Sequence, residues 1–295
     1  MEVGWGQMLA LSCAICWALA VILLQRLGES LPAFELNLFK HVLSLVLLIP
    51  TLAWTVGLAL PDYPLGEICI ALFSGFLGIG VADTWYLRAL NLMGASRTGI
   101  IASVFSPFVV LLSVLFLGES LIGFQLLGFA LVMAGVLLVT WRQSRTSADG
   151  ANIRKGALLA IGGVFMMAVG IVMVKGILET RPFLWTVAIR LLGGIAGMVL
   201  YIALRRRWSE VWNQFRKPQP WLWIVSGSFL GGYLAMVLWL GGYMLIPASQ
   251  ASILNETANA WIVLFAWLML GETIDVRKVT GLLLTFAGVA TMLLV

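Results

Sequence analysis

GASRTGIIASVFSPFVVLLSVLFLGES (residues 94–120) aligns without a gap on PASQASILNETANAWIVLFAWLMLGET (residues 247–273), at an offset of 153. Both runs end in the same triplet, Leu117-Gly118-Glu119 and Leu270-Gly271-Glu272. Ala134-Gly135-Val136 falls on Ala287-Gly288-Val289 at that offset too. Earlier in each half the offset is 150, with Glu29 on Glu179, Pro32 on Pro182 and Lys40 on Arg190. The three-residue difference fits a longer loop between the second and third apolar segments of the second half. The chain therefore reads as two copies of one unit, 1–141 and 155–295, joined by the hydrophilic stretch 142–154.

Composition sets the solvent. Hydrophobic residues make up 61% of the 295 and charged residues 11%, with a mean hydropathy of +1.03. A soluble domain is about a quarter charged, so this surface faces lipid. Cys13, Cys16 and Cys69 imply no disulfide framework; Cys13-x-x-Cys16 lies in an apolar run and reads as packing. The start lacks a basic region ahead of its apolar run, so it reads as a retained first span rather than a signal peptide.

A helix needs roughly 20 apolar residues to cross a bilayer core. Ten stretches qualify, at roughly 7–27, 35–58, 67–91, 97–117, 122–141, 155–178, 183–204, 221–245, 247–270 and 278–295. Backbone groups find no water in lipid, so each is expected to be a helix. The predicted fold is an all-α membrane protein of ten transmembrane helices, arranged as two inverted five-helix repeats around a central cavity. An odd number of spans per unit forces the inversion. Basic residues agree with it. Thirteen of the 18 Lys and Arg fall in loops on one side, among them Arg26, Arg97, Arg142, Arg145, Lys155, Arg205, Arg206 and Arg207. Only Lys175 and Arg181 fall on the other side, and Lys40, Arg88 and Arg190 lie within spans. The basic side should be cytoplasmic, which puts both termini outside.

Two five-span halves, each closing its fourth span on Leu-Gly-Glu and carrying Ala-Gly-Val in its fifth, resemble the EamA-type family of the drug/metabolite transporter superfamily. The resemblance covers nearly the whole chain. It implies a basket of helices with a cavity lined by the first four spans of each half. It also implies export or exchange of small metabolites, often amino acids. The family is described with cytoplasmic termini, opposite to the charge count.

Polar residues inside spans are the candidate site. Ser249, Ser252, Asn255, Glu256 and Asn259 recur every three or four residues, on one helical face. An ionised carboxylate at the bilayer centre costs about 2.5–3.5 kcal/mol on insertion scales, so intramembrane acids are usually functional. Glu256 is expected to line the cavity, binding a substrate amine or taking up a proton; the alternative is a structural anchor held by Asn255 and Asn259. The matching face of the first half is Ser96, Gly99, Ser103 and Ser106, with Ser103 in the place of Glu256.

Asp83 is a second candidate, sharing its face with Phe76, Gly80, Tyr86 and Leu90. Arg88 is five residues away, a poor helical spacing for an ion pair, so a cation on another helix is the expected partner. Lys40 and His41 share a face with Asn37 and Ser44. Lys40 and its repeat equivalent Arg190 either snorkel to the interface or pair with Asp83 or Glu256. Trp17, Trp85, Trp239 and Trp261 are deep enough to line a cavity. Glu119 and Glu272 are expected at the N-terminus of the following helix, after Gly118 and Gly271 end the preceding one. Pro107 is expected to kink the fourth span, and Ala260 stands in its place in the second half, so the halves need not bend alike. Gly193-x-x-x-Gly197 and Gly227-x-x-x-Gly231 read as helix contacts.

An enzyme is disfavoured. His41 is the only histidine, which excludes HExxH and a multi-histidine metal site, and there is no Walker A sequence. No cofactor and no nucleic-acid partner are expected. The function expected is secondary transport of small metabolites by alternating access in a bacterial inner membrane, with protons as a candidate coupling ion. The rival is a lipid-linked carrier flippase, which would need a cavity open to lipid.

Overall fold

The computed structural model of the chain describes residues 4–25, 31–93, 98, 101–121, 123–140, 150–270 and 276–293. Arg26, Ser96, Arg97, Gly99, Arg142, Arg145, Gly271 and Glu272 lie outside them. The described residues are helical, with no strand among them. In chain order the helices are α1 (Trp5–Gln25), α2 (Ala33–Thr55), α3 (Leu65–Gly75), α4 (Asp83–Met93), α5 (Phe105–Phe116), α6 (Gly123–Thr140) and α7 (Gly150–Thr180), then α8 (Phe183–Leu204), α9 (Trp208–Arg216), α10 (Trp221–Ser228), α11 (Ala235–Leu245), α12 (Ala248–Asn255), α13 (Thr257–Leu270) and α14 (Val276–Leu293).

Six helices among the described residues are long and apolar enough to cross a membrane: α1, α2, the α3–α4 run, α7, α8 and the α10–α11 run. The other apolar stretches are helical over shorter lengths, as α5, α6, α12 with α13, and α14. Two of the continuous helices expected from hydropathy are interrupted. The fourth stretch loses its helix at Ser103 and Val104 before α5 begins. The ninth is divided at Glu256, between α12 and α13. Both breaks fall at the same repeat position, 153 apart. The halves therefore break alike, although only the first carries a proline there, Pro107. Pro107 has no N–H to offer the carbonyl four residues back, which is compatible with the break at Ser103. The second half achieves the same break without one.

The third and eighth stretches share another irregularity. Phe76–Ala82 joins α3 to α4 in wider π-helical turns, and Phe229–Leu234 joins α10 to α11 in the same way. Both begin Phe-Leu-Gly, again 153 apart. Such turns leave side chains and backbone out of α-helical register and are common at functional sites.

The two halves interleave. α1 packs against α11, α12 and α13, and α7 and α8 pack against α2, α3 and α4. Close approach depends on glycine. A Cβ on Gly193 would lie 2.0 Å from the Leu72 carbonyl oxygen, and one on Gly75 would lie 1.9 Å from that of Arg190. α8 and α3 thus touch backbone to backbone. The Ala-Gly-Val repeat has the same cause: a Cβ on Gly135 would lie 2.6 Å from Gly281 O, and one on Gly288 2.7 Å from Gly128 O, so α6 and α14 form a tight pair.

Gly118 ends the fourth stretch with φ +68, as expected. The acid after it goes elsewhere than the following helix. Glu119 accepts from Ala248 N at 2.6 Å and Ser249 N at 2.9 Å, at the N-terminus of α12 in the other half. Ser249 Oγ donates to it as well, at 2.6 Å. Free amides at a helix start favour an anion whichever segment supplies it.

Candidate functional site

A central cavity of about 190 Å³ opens where the irregular segments meet. Lining residues come from α1, α2, the α3–α4 run, the 102–105 break, α7, α8, α11 and the break at Glu256, and none comes from α6 or α14. Its walls are apolar and aromatic, with Trp17, Phe105, Met167, Met236 and Trp239 among them. Polar groups enter at three places.

The first is a charged cluster. Lys40 Nζ lies 2.7 Å from Asp83 Oδ2, and His41 Nε2 lies 3.0 Å from the same oxygen. Lys40 also sits 5.8 Å from the centroid of the Trp17 ring. Asp83 thus takes its cation from another helix, and Lys40 does not snorkel. Consecutive residues on α2 reach one carboxylate because Asp83 opens α4 directly after the π-helical turns. Arg88 has no part in it. Lys40 and His41 are buried, as are Asn37 and Ser44 on the same face. His41 lines the cavity, and its buried Nδ1 has no hydrogen-bond partner among the described residues.

The second is the break at Glu256. Its Oε2 accepts from Asn259 Nδ2 at 3.1 Å, and Oε1 lies 3.4 Å from the backbone N of Ser106, in the first turn of α5. Among the described residues Glu256 has no ion-pair partner. The carboxylate of one repeat therefore meets the helix start created by the break in the other. That N-terminus carries a partial positive charge. Asn255 bonds its own helix, Nδ2 to Ala251 O at 2.8 Å, and leaves Oδ1 unpaired. Asn255, Glu256 and Asn259 all line the cavity.

The third is Arg190, 1% exposed. It does not snorkel, and among the described residues it meets no carboxylate. Nη1 donates to Ser74 Oγ at 2.5 Å and to Gly170 O at 3.1 Å, and Nε is unpaired. Gly78, in the π-helical turns, lies beside it: a Cβ there would be in ordinary contact with Nη2, at 3.5 Å.

The remaining candidates divide. Tyr86 and Trp17 line the cavity, while Trp85 faces a separate cleft and Trp261 stacks on Phe265 and meets Phe286 edge-on. Ser252 and Ser103 are buried and are not part of the central cavity's lining; Ser252 Oγ lies 3.3 Å from Ser106 Oγ. Ser249 is taken up by Glu119. The polar stripe on the ninth stretch thus has two uses, helix contact at its start and cavity wall from Asn255 onward. Sequence reading passed over Ser106 as a backbone donor to Glu256, and over the recurring Phe-Leu-Gly that marks both π-helical joints.

A family model described as the EamA-like transporter family matches twice, over residues 4–141 and 154–294. No curated protein matches the chain. A solved structure described only as "Crystal structure of protein" is similar at a TM-score of 0.78 and 16% identity, over 98% of this chain and 96% of that one. At that identity the likeness concerns the fold.

Proposed function

We propose that this chain, which belongs to the EamA-like transporter family, is a secondary active transporter that exports or exchanges small metabolites such as amino acids. On this reading it has ten spans in two inverted five-helix repeats, 1–141 and 155–295, in a bacterial inner membrane. Transport proceeds by alternating access, and Glu256 carries the coupling proton. One observation carries the reading: Glu256, without an ion-pair partner among the described residues, lines a central cavity at a helix break that recurs in both repeats. Discontinuous helices at a repeat interface are how secondary transporters build substrate and ion sites. Asn255 Oδ1 and His41 Nδ1, on two further cavity-lining residues, are buried and without a hydrogen-bond partner among the described residues. Arg190, without a carboxylate partner among the described residues, adds a buried cation to the lining of the same cavity.

Counterflow tests this. Proteoliposomes preloaded with unlabelled amino acids and related metabolites should take up labelled members of the pool, without any gradient. Equal uptake by protein-free liposomes for the whole pool would remove amino acids as the substrate class.

A second reading, a lipid-linked carrier flippase, draws on the separate cleft between α2, α4, α7 and α8. Scrambling of a lipid-linked sugar in the same vesicles, with no counterflow, would favour it.

A further inference from the structure

That second cleft, of about 520 Å³, lies on the face of the α3–α4 run opposite the central cavity. Ile79, Asp83 and Tyr86 face the cavity; Gly80, Thr84 and Arg88 face the cleft. Asn37 stands between the two. Its Nδ2 donates to Ile79 O at 2.8 Å and lies 3.1 Å from Thr84 Oγ1.

The cleft is chemically polarised. Its rim holds Arg88 near the end of α4, Lys155 near the start of α7 and Arg207 just beyond α8. Arg88 and Lys155 are exposed, and neither has an ion-pair partner among the described residues. Arg207 is held by Glu210 at 2.6 Å and lies 3.4 Å from Glu35, the one acid that lines the cleft. The other end is apolar, with Phe76, Val81 and Met198. Phe76 and Arg88 lie at opposite ends of one helical run, about 18 Å apart along its axis.

A basic rim above an apolar furrow is complementary to an anionic amphiphile. Snorkelling alone explains basic residues at an interface but not the unfilled space they surround. A small inorganic anion would leave the apolar end empty. Basic pockets between spans on the positively charged side are where anionic head groups bind.

We propose that this cleft binds an anionic phospholipid, its phosphate at Arg88, Lys155 and Arg207 and an acyl chain along Phe76, Val81 and Met198. The site is independent of the transport reading, because binding alone is measured.

The test is native mass spectrometry of the full chain in mild detergent, with phosphatidylglycerol or phosphatidylcholine added at equal concentration. Phosphatidylglycerol should be retained about tenfold better. R88Q/K155Q should lose that preference, and R88K/K155R should keep it. R205Q/K217Q removes as much charge from the same side without touching the cleft, and should stay within about twofold of the parent. Leu159→Trp, which narrows the cleft without altering charge, should also lower retention. Equal retention of the two lipids overturns the proposal, as does R88Q/K155Q behaving like R205Q/K217Q or full retention by Leu159→Trp. Competition by glycerol phosphate at the concentration of the lipid would make this a soluble-anion site and overturn the lipid assignment.

Discussion

The two polar walls of the central cavity handle charge in opposite ways. On the first wall Asp83 is neutralised within the protein, by Lys40 at 2.7 Å with His41 alongside. On the second wall Glu256 has only an amide side chain and a long contact to a backbone N–H. A buried pair compensates itself and resists change, because removing either member strands the other. A lone buried carboxylate is compensated only by what arrives: a proton, a cation, water or substrate. On the proposed reading, the first wall holds a geometry and the second responds.

That contrast can be broken most forcefully at Lys40. Lys40→Met should destabilise the protein by about 3–5 kcal/mol, read as thermal unfolding in detergent. Lys40→Met with Asp83→Asn should recover most of the loss, since no charge is then stranded. A double variant as unstable as the single would mean that the pair contributes packing rather than compensation.

A smaller effect is expected where charge compensates a helix end. Glu119→Ala leaves the Ala248 and Ser249 amides at the start of α12 unpaired. It should cost about 1–3 kcal/mol by the same measurement, and Glu119→Gln less. No loss in either would show that water replaces the carboxylate there.

Pro107→Ala should have the smallest effect. The proline lies in the first turn of α5, where it is tolerated, and the second half breaks at Glu256 with alanine in its place. Stability should move by no more than about 1 kcal/mol and counterflow by less than about twofold. A gain of about 3 kcal/mol would mean that the proline alone holds the first break open.

Much of this organisation could be read before the structure. Hydropathy located the apolar stretches because lipid imposes one requirement on all of them. The repeat was visible because Leu-Gly-Glu and Ala-Gly-Val recur at one offset; in the first copy Glu119 caps a helix of the other half, and the glycines of the second motif let α6 and α14 touch. Asp83 was assigned a partner on another helix by spacing alone. The breaks were not legible. Hydropathy averages side chains and is blind to backbone continuity, so Ser103 and Glu256 looked like residues within helices. The destination of Glu119 was missed for a related reason. Local rules place an acid at the next helix in sequence, whereas the helix start it serves is 129 residues away. Arg190 was expected to find an acid or the interface, and its actual partners, a serine hydroxyl and a backbone carbonyl, carry no sequence signal.

The most direct test of the contrast is a coupled-uptake measurement on Glu256→Gln. Glutamine keeps an oxygen for Asn259 but cannot exchange a proton. In proteoliposomes, a lumen more acidic than the medium should drive substrate into the wild type as protons leave. The variant should show counterflow without any response to the gradient. A variant that follows the gradient as the wild type does would contradict the account, and would return Glu256 to a structural role.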